Sequence, residues 1–296
     1  MVKRILIMMT TLALFFGFVL PGVTQADSVI DEKLGVPIVV YGANLSDEEK
    51  ESVRKSLEVD KEAEVEEISV NGNDLATYIT GSNKDSRMYS SAKITRQEEG
   101  KGLVIKIVTE DNITQVTADM YGNAMLTAGI EDAIVEVAAP KKVTGHSALV
   151  GIYKAYEVTG EVLDTERTDV ANDELNLATK FAEDAGISSD KVSELLTEIK
   201  KEIADKNPAT KEEVEAIVAE QLKKLNIELS EADRQLLIDL MDKIRNLDID
   251  FGKLSEQLSD MSSKIKDKLG EVDPAFWEKV KEFFANIMDS VKSWFK

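Results

Sequence analysis

The period of the apolar positions changes near residue 160. Before it, short runs rich in β-branched residues alternate with helical patterns; after it, nearly all apolar positions recur at helical spacing, separated by brief breaks. Residues 36–41 and 65–70 read as strands. Ser46 with Glu49 three residues on forms a capping box that opens a helix to Leu57. A short helix is expected over 71–79. Segments 88–97 and 103–109, joined by the Gly-containing run 98–102, are predicted to form a β-hairpin. Thr114 is expected to cap a helix that runs to Ala128 and stops at Gly129, followed by a strand over 130–138 that ends before Pro140. Thr144 is expected to cap a further helix that stops at Gly160, with Gly145, Ala148 and Gly151 allowing close packing on the sheet.

Helices follow at roughly 168–185, 189–206, 210–226, 231–247, 251–269 and 274–295. In the fifth of these, Phe251, Leu254, Leu258, Met261, Ile265 and Leu269 form the seam of a helix packed lengthwise on another. Its expected partner is the preceding helix, through Leu236, Leu240, Met241, Ile244 and Leu247. The pattern thus predicts an α+β protein. After residues 1–26, a mixed sheet with flanking helices occupies 27–163 and an all-helical domain occupies 164–296. The last predicted helix is strongly amphipathic. Its ten apolar residues lie within an arc of about 140° at 100° per residue, and Phe276, Trp277, Phe283, Phe284, Trp294 and Phe295 are the candidate contact residues. That face calls for cover: the protein's own helical layer, a second subunit, an envelope partner, or a membrane surface that the flanking lysines would meet.

Composition narrows the chemistry. The 296 residues hold no Cys and one His, which excludes a cysteine nucleophile, disulfides and the usual zinc sites. Apolar residues at 43% and charged residues at 31% suit a folded chain, and a formal net charge of -20 argues against nucleic acid as a partner. Lys3 and Arg4, an apolar run over 5–20 and Thr24-Gln25-Ala26 read as a secretory signal peptide, so an extracytoplasmic location is expected.

Two loops hold the candidate site. Thr144-Gly145-His146 precedes a helix whose free N–H groups favour an anion, and the segment beginning at Thr114 offers a similar start. The competing interpretation is simple helix capping, and convergence of the two starts in one cleft would favour a ligand. His146 and Ser147 are neighbours about 100° apart on a helix and lack a nucleophile elbow, so serine hydrolysis is not expected. Asn246-Leu247-Asp248-Ile249-Asp250 alternates oxygen ligands, but Phe251 stands where a calcium loop needs Gly; no metal and no cofactor are expected.

The runs Ile113-Thr114-Gln115-Val116-Thr117-Ala118-Asp119-Met120-Tyr121-Gly122-Asn123-Ala124, Thr127-Ala128-Gly129-Ile130, and Ala139-Pro140-Lys141-Lys142-Val143-Thr144-Gly145 through Ile152, with Lys154-Ala155-Tyr156-Glu157, carry a family resemblance. The chain resembles the YpuA-like secreted proteins, a domain-of-unknown-function family of Gram-positive bacteria, from about Leu34 into the C-terminal helices. That resemblance implies an exported, envelope-located protein and brings no enzyme activity with it. His146 and Ser147 depart from the family's run of Thr and Ala, which speaks against a catalytic histidine as a shared trait. The expectation is an exported, non-enzymatic binding or scaffolding protein of the cell envelope. The alternative is a receptor or enzyme for a small anionic ligand, lined by Thr114, Thr144, Gly145 and His146.

Overall fold

The computed structural model describes residues 34–62 and 64–271. The predicted signal peptide and the aromatic segment 274–295 lie outside the described residues. Five strands, β1 (Ile38–Gly42), β2 (Glu66–Val70), β3 (Ser91–Arg96), β4 (Val104–Ile107) and β5 (Ala133–Ala138), form one mixed sheet in the order β2-β1-β3-β5-β4. The connections β1 to β2 and β4 to β5 are parallel and pass through α1 (Asp47–Ser56) and α3 (Ala118–Ala128) respectively; β3 lies between the two parallel pairs and runs antiparallel to both neighbours.

The predicted hairpin does not form. β5 inserts between β3 and β4, pairing with β3 along its whole length (Ser91 opposite Ala138) and with β4 over residues 134–137 (Val104 opposite Ile134). The physical reason is burial: β5 reads Ala-Ile-Val-Glu-Val-Ala and fills the sheet interior, whereas β4 alternates exposed and half-buried positions that suit an edge. The 98–102 run bridges the resulting gap. Gln97 N–H donates to the Asp132 carbonyl at 2.7 Å and Gly102 N–H to the Asp132 carboxylate at 2.6 Å.

Local signals account for most of the helix starts. Ser46 and Glu49 exchange both capping-box hydrogen bonds at the start of α1, and Asn71 and Asp74 do the same for α2 (Gly72–Tyr78). The last helix over the sheet is α4 (His146–Val158). From Thr165 to Glu271 the described residues form only helices: α5 (Thr165–Asp184), α6 (Ser189–Lys206), α7 (Lys211–Lys224), α8 (Glu231–Asn246) and α9 (Phe251–Glu271), close to the spans predicted. Asp250 Oδ1 accepts from Gly252 and Lys253 N–H at the start of α9, so the alternating-oxygen run is a cap. The expected pairing of α9 with α8 is incorrect. Leu254, Leu258, Met261 and Ile265 instead pack with Leu126 of α3, and α9 lies along α6. Leu236, assigned to that seam, is 45% exposed, because α8 buries Leu237, Ile238, Leu240, Met241 and Ile244 against α5 and α7. Among the described residues, no helix is long and apolar enough to cross a membrane.

The two sheet faces differ. Ile38, Val40, Ala92, Ile94, Val135 and Val137 join a core that continues through α3 and α4 into α5–α8. The opposite face packs Val39, Tyr41 and Ala138 under Val53 and Leu57, and there Lys93, 5% exposed, meets Glu62 and Glu136 at 3.0 and 2.7 Å. Burial pulls the Lys93 ammonium down, but the two carboxylates more than offset this and hold its pKa above the ordinary value.

A second buried cation lies where α3, α5 and α6 meet. Lys200, with no exposure, pairs with Glu174 at 2.7 Å and donates to the Asn123 carbonyl at 2.9 Å, while Thr127 donates to Glu174 at 2.5 Å. Here desolvation dominates and depresses the lysine, with Glu174 opposing. Lys200→Met alone, or Glu174→Gln alone, should therefore lower unfolding free energy by about 3–5 kcal/mol by stranding its partner. The double substitution should recover most of that loss in urea titrations.

Candidate functional site

The two loops named in the sequence do run side by side. Ile113 and Val143 form a parallel bridge, Thr114 N–H donates to the Val143 carbonyl at 2.9 Å, and Gln115 and Val116 N–H both donate to the Thr144 carbonyl at 3.3 Å. This stitching changes the role of the two threonines. Thr114 is no cap: its hydroxyl donates to the Val143 carbonyl at 3.0 Å, and Thr117 caps α3 by accepting from Met120 N–H. Nor does Thr144 cap α4. It is exposed, and the N-cap is Gly145 in the left-handed region (φ 105°), with no side chain accepting from the first turn.

Gly145 is required twice over. Its positive φ disfavours any L side chain, and an added Cβ would lie 2.8 Å from both Ile113 Cγ2 and the Tyr121 hydroxyl oxygen. Its carbonyl is the local anchor, accepting from Tyr121 OH at 2.6 Å, Ser90 OH at 3.2 Å and Ala148 N–H at 3.0 Å.

The open first turn of α4 forms one wall of a cleft of about 360 Å³. Val143, Thr144, Gly145, His146 and Ser147 line that wall; Ser86, Arg87, Met88 and Tyr89 line the other, and Asn172 of α5 contributes to the lining. Three of the four candidate ligand residues are thus brought together, while Thr114 sits outside the cleft lining. The second wall is held tightly by its surroundings. Met88 N–H donates to Asn44 Oδ1 at 2.7 Å, Gly42 leaves no room for a Cβ beneath the Met88 carbonyl, and Lys141 lies 4.0 Å from the Tyr89 ring centroid while pairing with Glu49 at 2.8 Å. Arg87 is exposed at the cleft and pairs with no carboxylate among the described residues.

His146 and Ser147 do not act as a pair. The Ser147 and Ser90 hydroxyl oxygens are 2.6 Å apart, and Ser90 N–H donates to Ser147 at 3.2 Å. His146 Nε2 instead approaches Thr179 Oγ1 at 3.5 Å, and that hydroxyl donates to carbonyls of its own helix. Burial lowers the His146 pKa below 6.5, with Glu183 opposing. The cleft therefore offers backbone N–H donors, a guanidinium, hydroxyls and an amide: a set suited to holding an anion.

Sequence reasoning missed Arg87, Tyr89 and Asn172. A cation inside the polar run 80–87 was the one available signal; Asn172 sits within an ordinary helical pattern.

Together, the mixed sheet and the cleft at the open end of α4 define an α+β protein with a polar cleft at the edge of its helical layer. The chain belongs to the DUF1002 family, described as "Protein of unknown function (DUF1002)", whose model matches residues 41–261. It is 34% identical over 213 residues to the uncharacterized protein YpuA of Bacillus subtilis (strain 168), covering 70% of this chain and 71% of that relative. No solved structure matches.

Gly145→Ala is expected to cost at least about 1–2 kcal/mol from backbone conformation alone, read as a lower unfolding free energy. For His146 the depressed folded pKa fixes the sign of the pH effect. The unfolded chain binds the proton more readily, so stability falls as pH drops through 6.5 and levels off below the folded pKa. His146→Gln should flatten that part of the stability profile, measured by denaturant unfolding at successive pH values.

Proposed function

We propose that this protein is an exported, non-enzymatic binding protein of the bacterial cell envelope, and that its cleft takes a small anionic group. One observation carries the ligand assignment: the open N-terminal turn of α4 and Arg87, which pairs with no carboxylate among the described residues, face a shared cleft in an otherwise strongly acidic chain. A helix start with no side-chain acceptor presents N–H groups and the positive end of the helix dipole, while a guanidinium supplies charge and paired donors for a carboxylate or phosphate. Long-range attraction does not assist such a ligand, because the chain's net charge of -20 repels it at a distance. Recognition is therefore short-range, set by Arg87, the first turn of α4 and Asn172.

The apolar leader in the sequence supports export, and the absence of Cys throughout suits a chain that folds in an oxidising compartment without cross-links. Binding rather than turnover is supported by the separate engagement of the His146 ring and the Ser147 hydroxyl.

Titration calorimetry with glycerol phosphate and with N-acetylmuramic acid, two anionic units of bacterial wall polymers, tests this reading. One of them should bind, and Arg87→Gln should weaken it at least about tenfold, the worth of one charged hydrogen bond at ~1.5–3 kcal/mol. Affinity unchanged by Arg87→Gln, or no heat with either compound, counts against it.

A further inference from the structure

An apolar strip along β4 is left open. β5 pairs with one side of this strand, and among the described residues no strand pairs with the other. Val104 and Val108 are each 37% exposed, and Leu103, Ile105 and Ile107 are only half-buried. Folded proteins blunt such an edge with charge, a bulge or a covering element, yet Lys106 is the single charge within 103–108. Two adjoining hollows of about 340 and 640 Å³ share Ile105, Ala118 and Asp119 in their walls. Together they make a groove between β4 and the first turn of α3, reaching from Asp260 and Met261 of α9 to Asp190 of α6.

The course of α9 determines what arrives there. It runs antiparallel to α6: Ser255 donates to Asp205 at 2.8 Å, and Ser262 donates to Glu198. Glu271 lies nine residues past Ser262, and Ser189 lies nine before Glu198. At about 1.5 Å per residue on both helices, α9 therefore ends beside the Asp190 end of the groove. The chain continues from that point through Asp273-Pro274 into the amphipathic segment with its ten apolar residues. Its charge suits the site, since the four lysines and four acids of 272–296 cancel. The segment, carrying no net charge, meets the groove carboxylates Glu110, Asp119, Asp190 and Asp260 without net repulsion. As a helix of 22 residues it would span about 33 Å, more than the roughly 20 Å of strand it has to cover.

We infer that residues 274–295 fold back as a helix whose aromatic face fills this groove and covers the open edge of β4 within the same molecule. The occupant is the chain's own segment rather than a second copy or a lipid surface, because α9 delivers it to the mouth of the groove.

Both tryptophans, Trp277 and Trp294, lie in this segment, so tryptophan emission reports on it alone. In the chain lacking only residues 1–26, without lipid, emission should be blue-shifted and independent of protein concentration. Val104→Glu with Val108→Glu should shift it to the red and raise acrylamide quenching several-fold. Both valines are already partly exposed, so far-UV circular dichroism should show the sheet and helices retained. Four results would each overturn the inference: water-like emission in the unaltered chain; a blue shift lost on dilution together with a dimer; a blue shift seen only with added lipid vesicles; or emission indifferent to the Val104 and Val108 substitutions.

Discussion

The pairing of β5 between β3 and β4 governs the rest of the molecule. Because β4 and β5 are parallel, the chain between them must cross over, and α3 is that crossover. The crossover lays the loop entering α3 beside the loop leaving β5, where Ile113 bridges Val143 and two N–H groups converge on the Thr144 carbonyl. The same insertion pushes β4 to the margin of the sheet. The cleft at the start of α4 and the open strip along β4 thus have one cause, although they lie on different parts of the surface.

Most single elements were legible in the sequence, and their partners were not. The capping boxes at Ser46 and Asn71 and the left-handed stop at Gly129 are local devices, written within three or four residues and independent of anything distant. Helix periodicity placed α5 through α9 closely for the same reason. Pairing is a contest between segments. A five-residue, glycine-bearing link between two β-branched runs is a fair hairpin signal, yet a more apolar strand thirty residues downstream displaced it. The seam on α9 was likewise identified correctly and assigned to the wrong neighbour, since a row of apolar residues carries no address.

The candidate site shows the same division. Thr144, Gly145 and His146 could be identified because a strand end followed by a helix start is visible in sequence. The actual N-cap shifted from Thr144 to Gly145 because the Thr144 carbonyl is taken by the neighbouring loop, and Thr114 became a stitch for the same reason. The opposite wall, with Arg87 and Tyr89, comes from a loop whose path is set by Gly42 and Asn44, some forty residues earlier. No local pattern announces that approach.

The charged row on the second sheet face has a consequence for how the chain reaches this state. Lys93 pairs with Glu136 across two adjacent strands, while their neighbours Ile94 and Val135 point into the main core. A slip of β3 by one residue turns every side chain to the opposite face and swings Lys93 into the hydrocarbon interior, away from its carboxylates. A slipped register is therefore penalised by a buried, unpaired ammonium, so that in a chain without cysteine an ion pair rather than a covalent link holds these two strands in alignment.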